Sequence, residues 1–300
     1  MDKAQEDSFS VTVACCTYSQ VKTRAVMSHL ELEKCPNPKM TVRYQDGDAL
    51  IGRSRSIVAN KFLTHTKDDL LMFLDEDIVI STFDITKLLW EAHRMNLPVV
   101  GAAYATKSKE NPGFAIRPLT DGVIKFGKDG GLYEVRSIST GCMVIQRKVL
   151  EKMIETEKVH YCKHGERGYY PFFQDKEMLI GGQWEHISED WFFTEIAMDL
   201  GFKIWCDTTI KLGHIGQYEY TWDDVLDVKQ GKRKSYDSPS FKVTNNVKRE
   251  ERDIHIDIGD MKGEIIKPGF DFKQDLKRIL GLKPISAPAL NGNEAVRLKE

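Results

Sequence analysis

This sequence predicts an α/β fold: a mixed, mostly parallel central sheet flanked by helices, with a C-terminal extension. Three observations carry that expectation. Leu70-Leu71-Met72-Phe73-Leu74 is an unbroken apolar run bounded upstream by Lys67-Asp68-Asp69, the pattern of a strand buried on both faces. Before it, two strand-like segments flank a helix-like one between residues 8 and 44, at the spacing of a right-handed βαβ unit. A second helix-like stretch, Leu50 to Leu63, feeds directly into the apolar run.

Taken in order, Ser8 to Cys16 reads as the first strand, ending in Thr17-Tyr18-Ser19. A helix follows with Val21, Ala25, Met27, His29 and Leu32 for its faces, and Pro36-Asn37-Pro38 breaks it. Met40 to Tyr44 is a short strand, and Gln45-Asp46-Gly47-Asp48 has turn chemistry. In the next helix, apolar residues at 50, 51, 57, 58, 62 and 63 mark one buried stripe. Ile85 to Met95 reads as a helix and Pro98 to Tyr104 as a buried strand. The glycine-rich stretch from 106 to 136 reads as short antiparallel additions. Ser139 to Ile145 is a strand opened by a glycine, and Arg147 to Ile154 is the helix after it. Residues 158 to 187 are irregular and aromatic, which suits a mobile flap over a substrate. Ser188-Glu189-Asp190 opens a helix that Gly201 stops, with Ser188 as N-cap and the acids at the positive end of the dipole. Lys203 to Asp207 is a strand, and Ile210 to Gly216 a short strand or loop carrying His214 between glycines. Past Gln217 the pattern is that of surface structure, with an amphipathic helix at Phe270 to Leu280 and a mobile tail from Lys283.

Composition limits the function classes. Three hundred residues with 41% hydrophobic and 29% charged side chains suffice for one large core. A net charge of -2 argues against coating nucleic acid or an anionic membrane. The polar, acidic first residues are unlike a secretory signal, and no apolar run is long enough to span a bilayer. The expectation is a soluble cytoplasmic protein, with its six scattered cysteines as free thiols.

Chemistry gathers at the carboxyl ends of the strands, where open α/β sheets place their ligand crevices. Asp75 and Asp77 follow the apolar strand directly, and their spacing of two lets them converge on one hard cation. Arg53 and Arg55 sit in the first half of the preceding helix, placed to meet a phosphate or carboxylate, or else to pair with Asp46 and Asp48. Gly141 permits close backbone approach to a ligand. Neither a GxGxxG nor a Walker glycine pattern is present, which disfavours a dinucleotide or P-loop fold.

Several of these segments form a recognisable series: Thr17-Tyr18 after the first strand, Arg53-Ser54-Arg55-Ser56, Phe73-Leu74-Asp75-Glu76-Asp77, Thr140-Gly141-Cys142-Met143, Ser188-Glu189-Asp190-Trp191 and Gly213-His214-Ile215-Gly216. In this order the chain resembles the GT-A fold glycosyltransferases, particularly family-2-like and viral or phage members, over about residues 8 to 216. The resemblance implies a Rossmann-like GT-A domain over 1-216, an extension packed on it over 217-282 and a flexible tail over 283-300. It implies a hexosyltransferase that uses a nucleotide-sugar donor, a UDP-sugar above all, with Mn2+ or Mg2+. The acceptor would be a glycan, a protein or a modified DNA base, and the setting host cytoplasm if the source is viral. Asp75, Asp77 and His214 are implied as metal ligands, with Asp75 alternatively contacting the donor's ribose or sugar. Thr17, Tyr18, Asp46 and Arg55 are implied as nucleotide contacts. Asp190 is implied as the base of an inverting reaction, with Glu189 orienting a substrate; in a retaining reaction Asp190 would bind the acceptor. Ser56 departs from the asparagine of many relatives. Two alternatives remain: a haloacid-dehalogenase-like phosphohydrolase with Asp75 as nucleophile, and a catalytically silent nucleotide-sugar-binding module.

Overall fold

Residues 70 to 74 form a strand with every side chain buried. Its apolar character demands this, because a central strand covered on both faces has no place for polar groups. In this computed structural model, which describes residues 8–108, 113–120, 122–164, 167–180, 182–225 and 240–243, that strand is β3. The chain order begins β1 (Ser10–Cys16), α1 (Thr23–Leu32), β2 (Lys39–Gln45), α2 (Ile51–His65), β3 (Leu70–Leu74), β4 (Ile78–Val79) and α3 (Thr82–Arg94). It continues with β5 (Val99–Gly101), β6 (Ile116–Pro118), β7 (Gly122–Lys125), β8 (Leu132–Ile138), β9 (Cys142–Gln146) and α4 (Arg147–Glu155). Next come β10 (Cys162–His164), β11 (Arg167–Tyr169), β12 (Lys176–Ile180), β13 (Gln183–Ile187) and α5 (Glu189–Asp199). The last described elements are β14 (Ile204–Asp207), β15 (Gly213–Ile215), β16 (Glu219–Tyr220) and β17 (Ser240–Val243).

Eight strands make the main sheet in the order β2-β1-β3-β9-β5-β14-β8-β6. Helices α1 and α3 pack together, and α2, α4 and α5 pack in series, so the expected α/β layering is present. Mostly parallel pairing is not. Three pairings are parallel, β1 with β2, β1 with β3 and β5 with β14, and four are antiparallel, β9 with β3 and β5, and β8 with β14 and β6. The physical reason is where the two reversed strands sit. Each is inserted between strands of the other direction, so each converts two ladders.

Local patterns explain most of the elements. Ser81 caps α3 by accepting the Asp84 N–H at 3.1 Å. In α1 the buried side is Ala25, His29 and Leu32, while Met27 points to solvent. The stripe expected for α2 is rotated: Leu50 and Ile51 are exposed, and the buried side is Gly52, Ser54, Arg55, Ser56, Val58, Ala59 and Phe62. That side carries an arginine and two serines because it meets a polar site rather than only the core.

The 158 to 187 segment is more ordered than its composition suggested. It holds two antiparallel hairpins, β10 with β11 and β12 with β13, and between them Phe172 and Phe173 are buried in the core. Two α2 side chains fasten this stretch by its backbone. Asn60 accepts the Tyr170 N–H at 3.0 Å and donates to the Tyr170 carbonyl at 2.9 Å, and Ser56 Oγ accepts the Phe173 N–H at 3.0 Å.

The chain divides into two units, Met1–Lys267 and Pro268–Glu300, and every described residue belongs to the first. Pairing crosses the boundary expected at residue 216, since β15 pairs with β16 and β17 with β7. Tyr220, Trp222 and Val225 are buried rather than on the surface. The helix expected at 270 to 280 and the tail from 283 lie outside the described residues. All six cysteines are free thiols, five of them buried. Among the described residues no helix is long and apolar enough to cross a membrane.

One close approach can be tested. A Cβ added at Gly101 would lie 2.2 Å from the Cys142 carbonyl oxygen, a backbone atom in the neighbouring β9. Gly101→Ala is expected to cost about 3 kcal/mol, at the upper end of overpacking changes, read as a lower urea midpoint with an unchanged slope; an unaltered midpoint would contradict the β5–β9 register.

Candidate active site at the strand ends

The acidic motif does not continue β3. The Ile78 N–H donates to the Asp75 carbonyl at 3.1 Å, closing a tight turn, and the Asp75 N–H donates to the Gly141 carbonyl at 3.1 Å. Around such a turn the first and third residues do not share a face. Asp75 and Asp77 therefore part, and each acquires its own partners.

Asp75 turns to α2. Both of its carboxylate oxygens accept from Arg55 Nη2, at 2.9 and 3.0 Å. The other terminal nitrogen of Arg55, Nη1, is ion-paired with Glu189 at the start of α5. Arg55 is only 5% exposed; burial works against its charge, and the two carboxylates more than restore it. Burial pushes the Glu189 carboxyl above its ordinary value, with Arg55 pulling it down and Asp190 pushing it up.

Asp77 turns the other way. Strand β15 pairs with β4 in the register His214 to Ile78, the Ile215 N–H donates to the Asp77 carbonyl at 2.8 Å, and His214 Nε2 stands 3.5 Å from Asp77 Oδ1. His214 Nδ1 is 2.7 Å from the Ala105 carbonyl oxygen. A carbonyl only accepts, so this contact places a proton on Nδ1; Nε2 then offers the carboxylate an N–H when the ring is charged and a lone pair when it is neutral. Lys107 ion-pairs with the second oxygen of Asp77. Burial raises the Asp77 carboxyl, but the contacts with His214 and Lys107 outweigh it and leave it below its ordinary value.

The chemistry of this pair fits a divalent cation: one imidazole nitrogen, held by its other nitrogen on a backbone carbonyl, faces one carboxylate oxygen. The expected third ligand is missing from it. Among the described residues no group of three or more His, Cys, Asp and Glu side chains is placed to hold a metal, since Asp75 faces Arg55. Three buried polar atoms near these strand ends make no hydrogen bond among the described residues: Arg55 Nε, Glu76 Oε2 and Thr140 Oγ1. Such atoms are costly in a folded chain unless a water or another polar group meets them.

Asp190 is buried. Its Oδ1 accepts from the Ser188 hydroxyl and from the Trp191 N–H at 2.8 Å. Ser188 occupies the N-cap position of α5 without capping through its side chain, because its hydroxyl is turned to Asp190.

Gly141 is needed for a reason other than a ligand. A Cβ there would lie 2.6 Å from the Tyr104 ring, so the glycine admits Tyr104. That ring also meets His214 edge-on, centroids 4.9 Å apart. Burial raises its phenol, as do Asp75 and Asp190, while Arg55 lowers it. Tyr104 thus stands where the two halves of the site meet. Neither it nor Lys107 was expected from the sequence, although the position of Tyr104 just past a strand's carboxyl end was a usable signal.

Of the residues expected to hold a nucleotide, Thr17, Tyr18 and Asp46 lie on two adjacent loops and Arg55 lies on α2. The Gly47 N–H donates to the Tyr18 carbonyl at 3.2 Å, Thr17 Oγ1 donates to the Gln20 carbonyl at 2.6 Å, and Tyr18 and Asp46 are exposed. Arg55 reaches carboxylates here rather than standing open to a diphosphate, and Arg53 pairs with Asp48 at 2.7 and 2.8 Å. A cavity of about 410 Å3 lies away from this chemistry, between β2 and α2, lined by Arg43, Tyr44, Lys61, Phe62 and His65 among others.

No family model and no curated protein matches the chain. One solved structure, titled "Crystal Structure of A197 from STIV", aligns at 18% identity over 68% of this chain and 85% of that chain, with a TM-score of 0.44. The likeness is distant. At that score it says nothing of activity, and the α/β assignment rests on the sheet and helices described above.

Removing Arg55 leaves two carboxylates without their cation. Because Asp75 is a quarter exposed on its side chain, Arg55→Met is expected to cost about 2–3 kcal/mol, below the range for fully buried pairs. The loss should shrink as pH falls from 8 to 5. Glu189 then has a folded pKa raised further above its unfolded value, so the folded state binds the proton more tightly and gains stability as pH drops through that window. Chemical denaturation across pH checks both; a pH-independent loss would contradict the arrangement.

Proposed function

We propose that this chain is a metal-dependent glycosyltransferase of the GT-A type that moves a sugar from a nucleotide-sugar donor, a UDP-sugar, to an acceptor hydroxyl. The observation that carries the reading is the meeting of Asp77 and His214 at 3.5 Å, with His214 Nδ1 held on the Ala105 carbonyl so that Nε2 is the ring atom facing Asp77. These two side chains would hold Mn2+ or Mg2+. When bound, the cation supplies Lewis-acid neutralisation of charge on a leaving diphosphate.

The other residues take parts consistent with their contacts. Lys107, about a third exposed on its side chain, carries charge of the right sign to turn from Asp77 to a phosphate oxygen. Asp75, gripped by Arg55 at both carboxylate oxygens, is turned toward the donor's ribose or sugar instead of entering the metal shell. Asp190, oriented by Ser188 and by the Trp191 N–H, takes the acceptor hydroxyl's proton in an inverting transfer. Thr17, Tyr18 and Asp46 receive the base and ribose, with the exposed Tyr18 ring available for stacking. A phosphohydrolase would need Asp75 as nucleophile, and a carboxylate held at both oxygens by a buried guanidinium suits that part poorly.

Release of nucleoside diphosphate from UDP-sugars in Mn2+ tests the reading. His214→Ala and Asp77→Asn are expected to raise the Mn2+ concentration for half-maximal release by about tenfold or more. Asp190→Asn should reduce transfer to an acceptor by about 10²–10⁴ while donor binding persists. A wild-type chain that neither binds nor hydrolyses any nucleotide-sugar in the presence of metal would sink the proposal.

A further inference from the structure

The hairpin β12–β13 has two unlike faces. Residues opposite one another across an antiparallel pair share a face, and successive residues alternate. Lys176 pairs with Ile187 and Met178 with Glu185. This side faces the molecule: Ile187 is fully buried, Met178 packs on the core, and Lys176 Nζ lies 5.5 Å over the Phe192 ring. Glu185 of the same side approaches Arg117 at 3.9 Å. Glu177 pairs with His186 and Leu179 with Trp184, and all four of these are exposed. Trp184 is 73% exposed and Leu179 60%, directly across from each other.

An indole and an isobutyl group set side by side in water are unfavourable unless something covers them. In the chain they come just before the acidic start of α5, since β13 runs from Trp184 through Ile187 straight into Ser188, Glu189 and Asp190. Three strand residues at ~3.3 Å each put Trp184 roughly 10 Å from Ile187. The charges on the face discriminate between occupants. Behind the apolar pair stand one carboxylate, Glu177, and one imidazole, His186, and this face carries no lysine or arginine. A phosphate backbone demands cationic partners. A sugar ring has an apolar C–H face and a rim of hydroxyls, and is matched by an aromatic plane with acceptor and donor groups beside it.

The geometry points to the outward face of β12–β13 as a carbohydrate platform: Trp184 and Leu179 stack on a pyranose ring of the acceptor, and Glu177 and His186 hydrogen-bond its hydroxyls. This names the acceptor as a neutral glycan rather than DNA, and it rests on the transferase reading for its role. Binding of the sugar itself does not depend on that reading.

The test therefore measures binding first, with neither donor nor metal present. The full chain is titrated with neutral oligosaccharides and, separately, with a single-stranded DNA oligomer, by calorimetry and saturation-transfer NMR. The wild type should bind an oligosaccharide, Trp184→Ala should weaken that binding about tenfold or more, and Trp184→Phe should stay within about threefold. DNA should show no Trp184-dependent binding. Equal binding by Trp184→Ala and wild type would overturn the inference, as would DNA binding lost in that variant, or a dimer in light scattering that Trp184→Ala dissolves. Trp184-dependent oligosaccharide binding without donor hydrolysis by the wild type would uphold the platform and remove the transferase reading. Hydrolysis without such binding would do the reverse.

Discussion

One buried cation holds this site in shape. Arg55 lies on α2, Asp75 on the turn after β3 and Glu189 on the first turn of α5. No two of these elements are neighbours in sequence, and their side chains meet only through the guanidinium. Two carboxylates alone would repel one another in a weakly screened environment; with Arg55 between them they become an attachment. Glycine at 52 supports the same contact, because a Cβ there would lie 3.1 Å from the Glu189 Cβ and 2.9 Å from the Phe173 carbonyl oxygen. The helix can then lie close enough for Arg55 to reach both acids.

The same constraint explains why the two acids of the motif divide their work. In a continued strand, residues two apart share a face. The tight turn at 75 to 78 removes that option, sending one carboxylate to Arg55 and the other to β15. A three-residue acidic motif is thereby shared between an ion-pair cluster around Arg55 and a carboxylate that faces His214 and Lys107, joined by the turn and by the Tyr104 ring over Gly141.

Legibility in the sequence followed the range of the interactions involved. The β3 run, the first βαβ unit and the α5 start were readable because their signals are local: unbroken apolar character, period, and acids at a helix N-terminus. The approach of His214 to Asp77 was expected only through the resemblance of separated motifs, and it is present. The antiparallel insertion of β9 was not readable, since a strand buried on both faces looks alike in either direction. Nor was the buried side of α2, where Leu50 and Ile51 carry a hydrophobic signal that the fold leaves exposed and Arg55 carries a polar one that it buries. The partners of Arg55 lie 20 and 134 residues away along the chain, and no periodicity encodes such a meeting.

The distance between His214 and Asp77 bears on what the pair is for. At 3.5 Å the nitrogen and oxygen are beyond a good hydrogen bond, and with Nδ1 committed to Ala105 a neutral ring offers no proton to share. Two lone pairs facing one another would be unfavourable without a positive charge nearby. Lys107 supplies one from the solvent side, through the other oxygen of the same carboxylate. A histidine meant only to brace Asp77 would present N–H to it, and that requires Nδ1 to give up its proton or the ring to become charged. The carbonyl of Ala105 opposes the first, because a deprotonated Nδ1 at 2.7 Å would face an oxygen that also has only lone pairs. Ala105 thus keeps a proton on Nδ1 and leaves Nε2 as the ring atom that meets Asp77, as an N–H donor to the carboxylate when the ring is charged and as a lone pair when it is neutral.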